Sequence, residues 1–274
     1  MKKLMLITLL FSTTSLFAGA QDNTTDEGVE INGLIWATRN VDAPGTFAEN
    51  LEDAGMFYQW NGKIGWSATD PMINSNESTI WNSHWNGNYE NPSASDVWQT
   101  KNNICPAGWR VPTITEFESL LNSESEWTET PVSGITFKNN DNILFLPAVG
   151  YRGTDAGTLF NADLNGYYGS YWSSTGYKTD EVYDRPTARD LFFGSEILPG
   201  NNGIAVLSTG FRGYGQSVRC VSDKIPNSIN NISLEKQKNI TGYYSILGEK
   251  LPKEPASGFY IILYDNGTSE KRIK

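Results

Sequence analysis

The sequence predicts an α+β domain over residues 29–222, few in helices and rich in antiparallel strands and long ordered loops, followed by a small all-β module at the C-terminus. Three observations carry that prediction. One strong helix signal stands at 113–122. Strand-like segments separated by Gly, Asn, Asp and Pro fill the later half of the chain. The only two cysteines, Cys105 and Cys220, bracket that succession. If joined, they would staple the helix region to the last strand.

Residues 1–20 read as a signal peptide. Lys2 and Lys3 form a basic start, 4–17 an apolar core, and Ala18-Gly19-Ala20 an A-x-A cleavage site. The mature chain is then expected to begin at Gln21. No later stretch approaches the ~18–20 continuous apolar residues of a transmembrane helix, so the expected location is secreted or at the cell surface, with no transmembrane span. Residues 21–28 contain no apolar side chain and read as a flexible lead.

Val29–Ile31 and Leu34–Trp36 flank Asn32-Gly33, the strongest short hairpin signal. From 44 to 103 the chain is rich in Trp, Asn, Gly and Ser. Long ordered loops with short strands are expected there, pinned by Trp60, Trp66, Trp81, Trp85 and Trp98. Thr113-x-x-Glu116 is a capping box, and Ile114, Phe117, Leu120 and Leu121 fall on one helical face. Strands are expected at 143–149, 168–174, 189–193, 204–208 and 217–221. Residues 223–233 are polar and Asn-rich and read as a linker. The segment 234–274 resumes β character, with strand runs at 242–251 and 258–264 and a tight turn at 265–268. Some forty residues bury too little surface for a robust independent fold, which suggests an appended module.

The chain carries a formal net charge of -10. From Leu234 onward seven Lys/Arg face five Asp/Glu, so the acidity lies in the body of the protein. Such a body excludes nucleic acid as a partner, because phosphate neutralisation needs clustered Lys and Arg. Export would place both cysteines in an oxidising compartment, where pairing is the default. A bridge across more than a hundred residues would stabilise the fold by roughly 4–5 kcal/mol on the chain-entropy model. The rival reading is two free thiols, one of them a nucleophile. That role needs a nearby base, and His84 is the single histidine.

Five blocks stand in order: Val29-Glu-Ile-Asn-Gly-Leu-Ile-Trp-Ala-Thr-Arg-Asn40, Cys105-Pro-Ala-Gly-Trp-Arg-Val-Pro-Thr113, Phe145-Leu-Pro-Ala-Val-Gly-Tyr-Arg152, Tyr171-Trp-Ser-Ser-Thr175 and Gly215-Gln-Ser-Val-Arg-Cys-Val221. Together they resemble the Fibrobacter succinogenes major paralogous domain, a family of exported proteins common in Bacteroidota. The resemblance covers 29–222. It implies a C-type-lectin-like fold in which an outer disulfide joins the first helix region to the final strand, where Cys105 and Cys220 fall. It brings no established catalysis. The tail, through Tyr244-Ser-Ile-Leu-Gly-Glu-Lys-Leu251 and a basic finish, is similar to a short type IX secretion sorting domain, which implies passage across the outer membrane.

The chemistry of catalysis is thin. His84 lies in a Trp-rich loop, no G-x-S-x-G is present, and one histidine cannot build a His-rich metal site. Asp180, Glu181, Asp184 and Asp190 could in principle supply paired carboxylates to a glycosidase, but spacing alone does not position them across a sugar bond, and they read first as a solvated acidic loop. Glu90-Asn91-Pro92 has the wrong order for a lectin calcium loop, and no EF-hand loop occurs. No cofactor and no metal are expected. Recognition remains: aromatic rings stack on sugars or anchor protein partners, and guanidinium groups add planar hydrogen bonding. Tyr151, Arg152, Tyr168, Trp172, Tyr183, Arg189, Arg212 and Tyr214 are the candidate ligand-binding residues, each with a competing role in pinning loops to the core. The expected function is a non-catalytic, exported lectin-like module that binds an extracellular glycan or protein. The alternatives are a hydrolytic or modifying enzyme using the acidic loop residues, and a structural surface or adhesin component. Oligomeric state is not encoded in any motif.

Overall fold

The computed structural model describes residues 23–85, 96–160, 166–180, 182–183, 185–195, 204–223, 240–245, 248–257, 259–265 and 269–273. The expected signal peptide, residues 224–233 of the expected linker, Glu90-Asn91-Pro92, Glu181 and Asp184 lie outside them.

The first hairpin joins β1 (Val29–Ile31) and β2 (Leu34–Trp36) in the register Val29↔Trp36. Asn32 and Gly33 both take positive φ, 53° and 79°, as a two-residue turn between right-twisted strands requires. A second hairpin pairs β3 (Met56–Gln59) with β4 (Gly65–Ser67). Then β5 (Trp109–Arg110) leads into α1 (Ile114–Leu121). The capping box is formed: Glu116 N–H donates to the Thr113 hydroxyl, and Thr113 N–H donates to the Glu116 carboxylate at 2.7 Å. Phe117 and Leu120 are buried, with Phe117 5.4 Å from the Trp36 ring.

After the helix comes a meander of β6 (Glu124–Thr128), β7 (Gly134–Asn139) and β8 (Asn142–Pro147). Short strands β9 (Tyr151–Arg152) and β10 (Leu159–Phe160) precede a longer meander of β11 (Tyr168–Asp180), β12 (Arg185–Gly194) and β13 (Ile204–Phe211). Finally β14 (Gly215–Gln216) inserts between β3 and β9, and β15 (Val221–Ser222) between β2 and β5. In the tail, β16 (Ile240–Ser245), β17 (Lys250–Leu251), β18 (Phe259–Tyr264) and β19 (Ser269–Ile273) form a separate sheet in the order β17-β16-β18-β19.

The expected α+β class, to which the C-type-lectin-like fold implied by the resemblance was assigned, is therefore corrected. Among the described residues the structure is 46% strand and 5% helical, its sheets mostly antiparallel, with one α-helix of eight residues. The helix forms where its cap and apolar spacing place it, but it lasts about two turns. The chain then enters β6 and β7, which the sequence reading passed over. In β7 the period is that of a strand: Ile135 and Phe137 are buried while Thr136 and Lys138 are only partly covered. The expected strands at 168–174, 189–193 and 204–208 extend further into β11, β12 and β13.

Two apolar cores lie on opposite faces of the β11–β12–β13 sheet. Alternation along β11 sends Trp172 into one core and Tyr171 into the other. On β12, Ala188 joins Trp172, while Leu191 and Phe193 join Tyr171. The Cys105–Cys220 disulfide is present, closing a sequence separation of 115, and both sulfurs sit in the Trp172 core. Indole N–H groups tie the aromatic-rich loops to backbone carbonyls: Trp60 to Ser173, Trp81 to Thr154, Trp85 to Trp60 and Trp98 to Asn102, all at 2.7–2.9 Å.

The two cysteine strings are scaffold throughout. Arg110 forms a two-point ion pair with Glu116 and a further one with Asp223. Gly108 takes φ 81°, and its carbonyl accepts from Asp223 N–H at 3.1 Å. Arg219 is fully buried; its guanidinium donates to the carbonyls of Ala37 and Thr38 and, through two nitrogens at 3.0 and 2.7 Å, to Asn40 Oδ1. With no carboxylate in direct contact, burial pulls its pKa down from the usual guanidinium value.

Candidate functional site

Following β11 outward from its core residue reveals the site. Trp172, Ser170 and Tyr168 share one face, and each lies on the same face as its cross-strand partner on β12: Trp172 opposite Asp190, Ser170 opposite Phe192. Trp172 is buried in the core, Ser170 and Asp190 are buried polar residues, and Tyr168 and Phe192 emerge half-buried. Where the core ends on this face, a strip of aromatic rings begins.

The rings are contiguous. Phe192 lies 5.7 Å from Tyr168, Tyr168 5.9 Å from Tyr151, Tyr151 5.2 Å from Tyr214, Tyr214 5.5 Å from Phe211, and Phe211 5.6 Å from Tyr183. Phe160 stacks on Tyr151 at 5.1 Å. Such tilted and stacked pairs are the preferred aromatic geometries. Phe160 and Tyr183 are exposed and the rest half-buried. Burial raises the phenol pKa of Tyr151, and of Tyr168 and Tyr214, where Tyr151 adds to it. All three therefore stay neutral hydrogen-bonding groups at physiological pH. Among the described residues, the hydroxyls of Tyr151 and Tyr214 make no hydrogen bond within the protein.

At Phe211 the strip meets a cleft of about 250 Å³, lined by Ser83, His84, Trp85, Thr154, Arg185, Pro186, Phe211 and Gly213. The Arg185 guanidinium lies 5.7 Å over the Phe211 ring, donates to Thr154 Oγ1 at 2.9 Å and pairs with Asp155 at 3.4 Å. Arg185 and Asp155 are both well exposed. His84 is exposed, with Nδ1 3.2 Å from the Ser83 hydroxyl.

Of the eight sequence-predicted residues, Tyr151, Tyr168, Tyr183 and Tyr214 come together on the strip. Trp172 lies in the core with its indole N–H on the Tyr58 carbonyl at 2.8 Å. Arg152 is 1% exposed; its guanidinium donates to the carbonyls of Ser67, Thr69 and Gly157 and to Asp70, clamping two loops. Arg212 is buried against the Trp60 ring at 4.2 Å, with its Nε on the Thr187 carbonyl. Arg189 points away from the Asp190 face, over Tyr177 at 5.3 Å. The sequence reading missed Phe160, Phe192, Phe211, Trp85 and Arg185. Trp85 and the alternation of Phe192 with buried Leu191 and Phe193 were the available signals.

The two acidic candidates among the described residues, Asp180 and Asp190, do not come together. Asp190 is 3% exposed; its Oδ2 accepts from Gln216 Nε2 at 2.8 Å, and burial raises its pKa to about 6. Asp190 Oδ1 and Gln216 Oε1 have no partner. Asp180 caps a hairpin turn, its carboxylate accepting from Val182 and Tyr183 N–H at 2.9 Å. No group of three or more His, Cys, Asp and Glu among the described residues is placed to hold a metal ion, and no helix among them is long and apolar enough to cross a membrane. Comparison with known proteins returns no match to any family model, any curated protein or any solved structure.

Proposed function

We propose that the protein is an exported, non-catalytic binding module whose ligand is a glycan, held on the aromatic strip and the cleft beside it. The observation that carries this reading is the contiguous, part-exposed row of rings, on which the Tyr151 and Tyr214 hydroxyls make no hydrogen bond among the described residues. Ring faces suit the C–H faces of a sugar, and free hydroxyls suit its O–H groups. The resemblance of the five sequence blocks to an exported family, together with the signal peptide read in residues 1–20, supports an extracellular location. The separation of Asp180 from buried Asp190 supports binding over hydrolysis.

A glycan array followed by affinity electrophoresis on the positive polysaccharides tests the reading. Tyr151→Ala/Tyr214→Ala is expected to weaken binding at least about tenfold, while Asp180→Ala leaves it unchanged. Unaltered binding by the double tyrosine variant, or release of reducing sugar that Asp180→Ala abolishes, would overturn it.

A further inference from the structure

The strip and the cleft form one path. Tyr214 touches Tyr151 on one side and Phe211 on the other, and Phe211 is also a wall of the cleft. Six rings in succession, from Phe192 to Tyr183, make a track longer than a single sugar can cover.

The charge along this path is balanced or negative. Arg185 supplies the guanidinium of the cleft, and Asp155 already pairs with it at 3.4 Å. Asp180 lies opposite Arg185 across the β11–β12 pairing, and the whole chain carries -10. A polyanion approaching this face would meet carboxylates without an unpaired guanidinium or ammonium among the cleft and strip residues named above. An uncharged, hydroxyl-rich chain meets no such barrier. The Arg185–Asp155 pair offers it donors and acceptors side by side, matched to neighbouring sugar hydroxyls.

We infer that the ligand is an uncharged, extended polysaccharide bound along several consecutive sugar units, running from Tyr168 and Tyr151 over Tyr214 and Phe211 into the cleft. This rests on the glycan-binding reading proposed above and narrows it to a neutral chain read internally.

Calorimetry on the purified protein tests it with cello-, xylo- and manno-oligosaccharides of two to six units. Hydroxyethyl cellulose, polygalacturonate and dextran sulfate serve as neutral and charged polymers, at low and high NaCl. In one neutral series the six-unit chain is expected to bind at least about tenfold more tightly than the two-unit one, with little change between the salt conditions. Phe211→Ala and Arg185→Met should each weaken the six-unit chain more than the two-unit chain. Tyr214→Phe, which removes one oxygen from a part-exposed ring and spares the fold, should weaken both the long chain and the polymer severalfold. Binding of polygalacturonate or dextran sulfate that falls steeply with salt would overturn the neutral-chain inference and leave the glycan reading standing. Equal affinity for two and six units would overturn the extended site alone. Failure of every carbohydrate, neutral or charged, would overturn both.

Discussion

Removing the Cys105–Cys220 bridge should be the most destabilising covalent change available to this protein. The bridge closes a separation of 115 residues. For a loop of that length, the chain-entropy relation removes about 16 cal/mol/K from the unfolded ensemble, or about 4.8 kcal/mol at 25 °C. Both sulfurs also pack in the Trp172 core, with Cys220 fully buried and Cys105 nearly so. Cys105→Ala/Cys220→Ala therefore loses packing as well, and the entropic figure is a floor. With an m-value of about 2.5 kcal/mol/M, the urea midpoint should fall by about 2 M. The assay is urea unfolding followed by tryptophan fluorescence, on the double variant and on wild-type protein under reductant. Both midpoints should fall, the double variant at least as far as the reduced protein because it also loses the buried sulfurs. A shift below about 0.5 M in both would refute the argument that the bridge constrains the unfolded chain.

Asp190 predicts a pH signature. Its folded pKa is raised to about 6, above the ordinary carboxylate value, so between about pH 4 and 6 the folded state holds a proton that the unfolded state has released. Stability should fall as pH rises through that window, by at most about 3 kcal/mol for a shift of this size. Asp190→Asn should flatten the fall, seen as a variant-minus-wild-type urea midpoint that grows from pH 4.5 to pH 7.5. At Gly55, φ is +64° and an added Cβ would lie 2.2 Å from the Val41 carbonyl oxygen, so Gly55→Ala should cost more than about 1 kcal/mol in thermal or urea unfolding. Arg219→Met would leave the Ala37 and Thr38 carbonyls and Asn40 Oδ1 without their buried donor. A loss of about 3 kcal/mol or more in urea unfolding is expected, whereas exposed Arg185→Met should change stability by less than about 0.5 kcal/mol.

The parts of the fold legible in the sequence are those set by local chemistry. Asn32-Gly33 dictates its own turn, and Thr113 with Glu116 caps its own helix, so both appear where expected. The class was misjudged because one strong helix signal outweighs several weak strand signals on the page, and β6 and β7 carry few apolar residues. The site was half legible for a different reason. Tyr168 and Phe192 lie far apart in sequence and meet only because β11 and β12 pair in the register Ser170↔Phe192. A one-residue slip would leave the two rings on opposite faces of the sheet. Arg152 and Arg212 resemble binding residues in isolation, because arginine is usually exposed. Their burial follows from backbone carbonyls that converge on them from residues as distant as Ser67 and Thr187.

Residues 215–222 have a consequence for how the molecule comes into being. They are the last of the domain to be synthesised, yet they lie at the middle of two sheets and every one of them is buried. Until they emerge, β3 lacks its partner next to β9, β2 lacks its link to β5, and Cys105 has nothing to bond. A chain whose centre is laid down last must keep its earlier strands waiting, and such distant pairings make for slow closure. Neither sheet can be completed, nor the disulfide closed, before this last-made segment of the domain arrives.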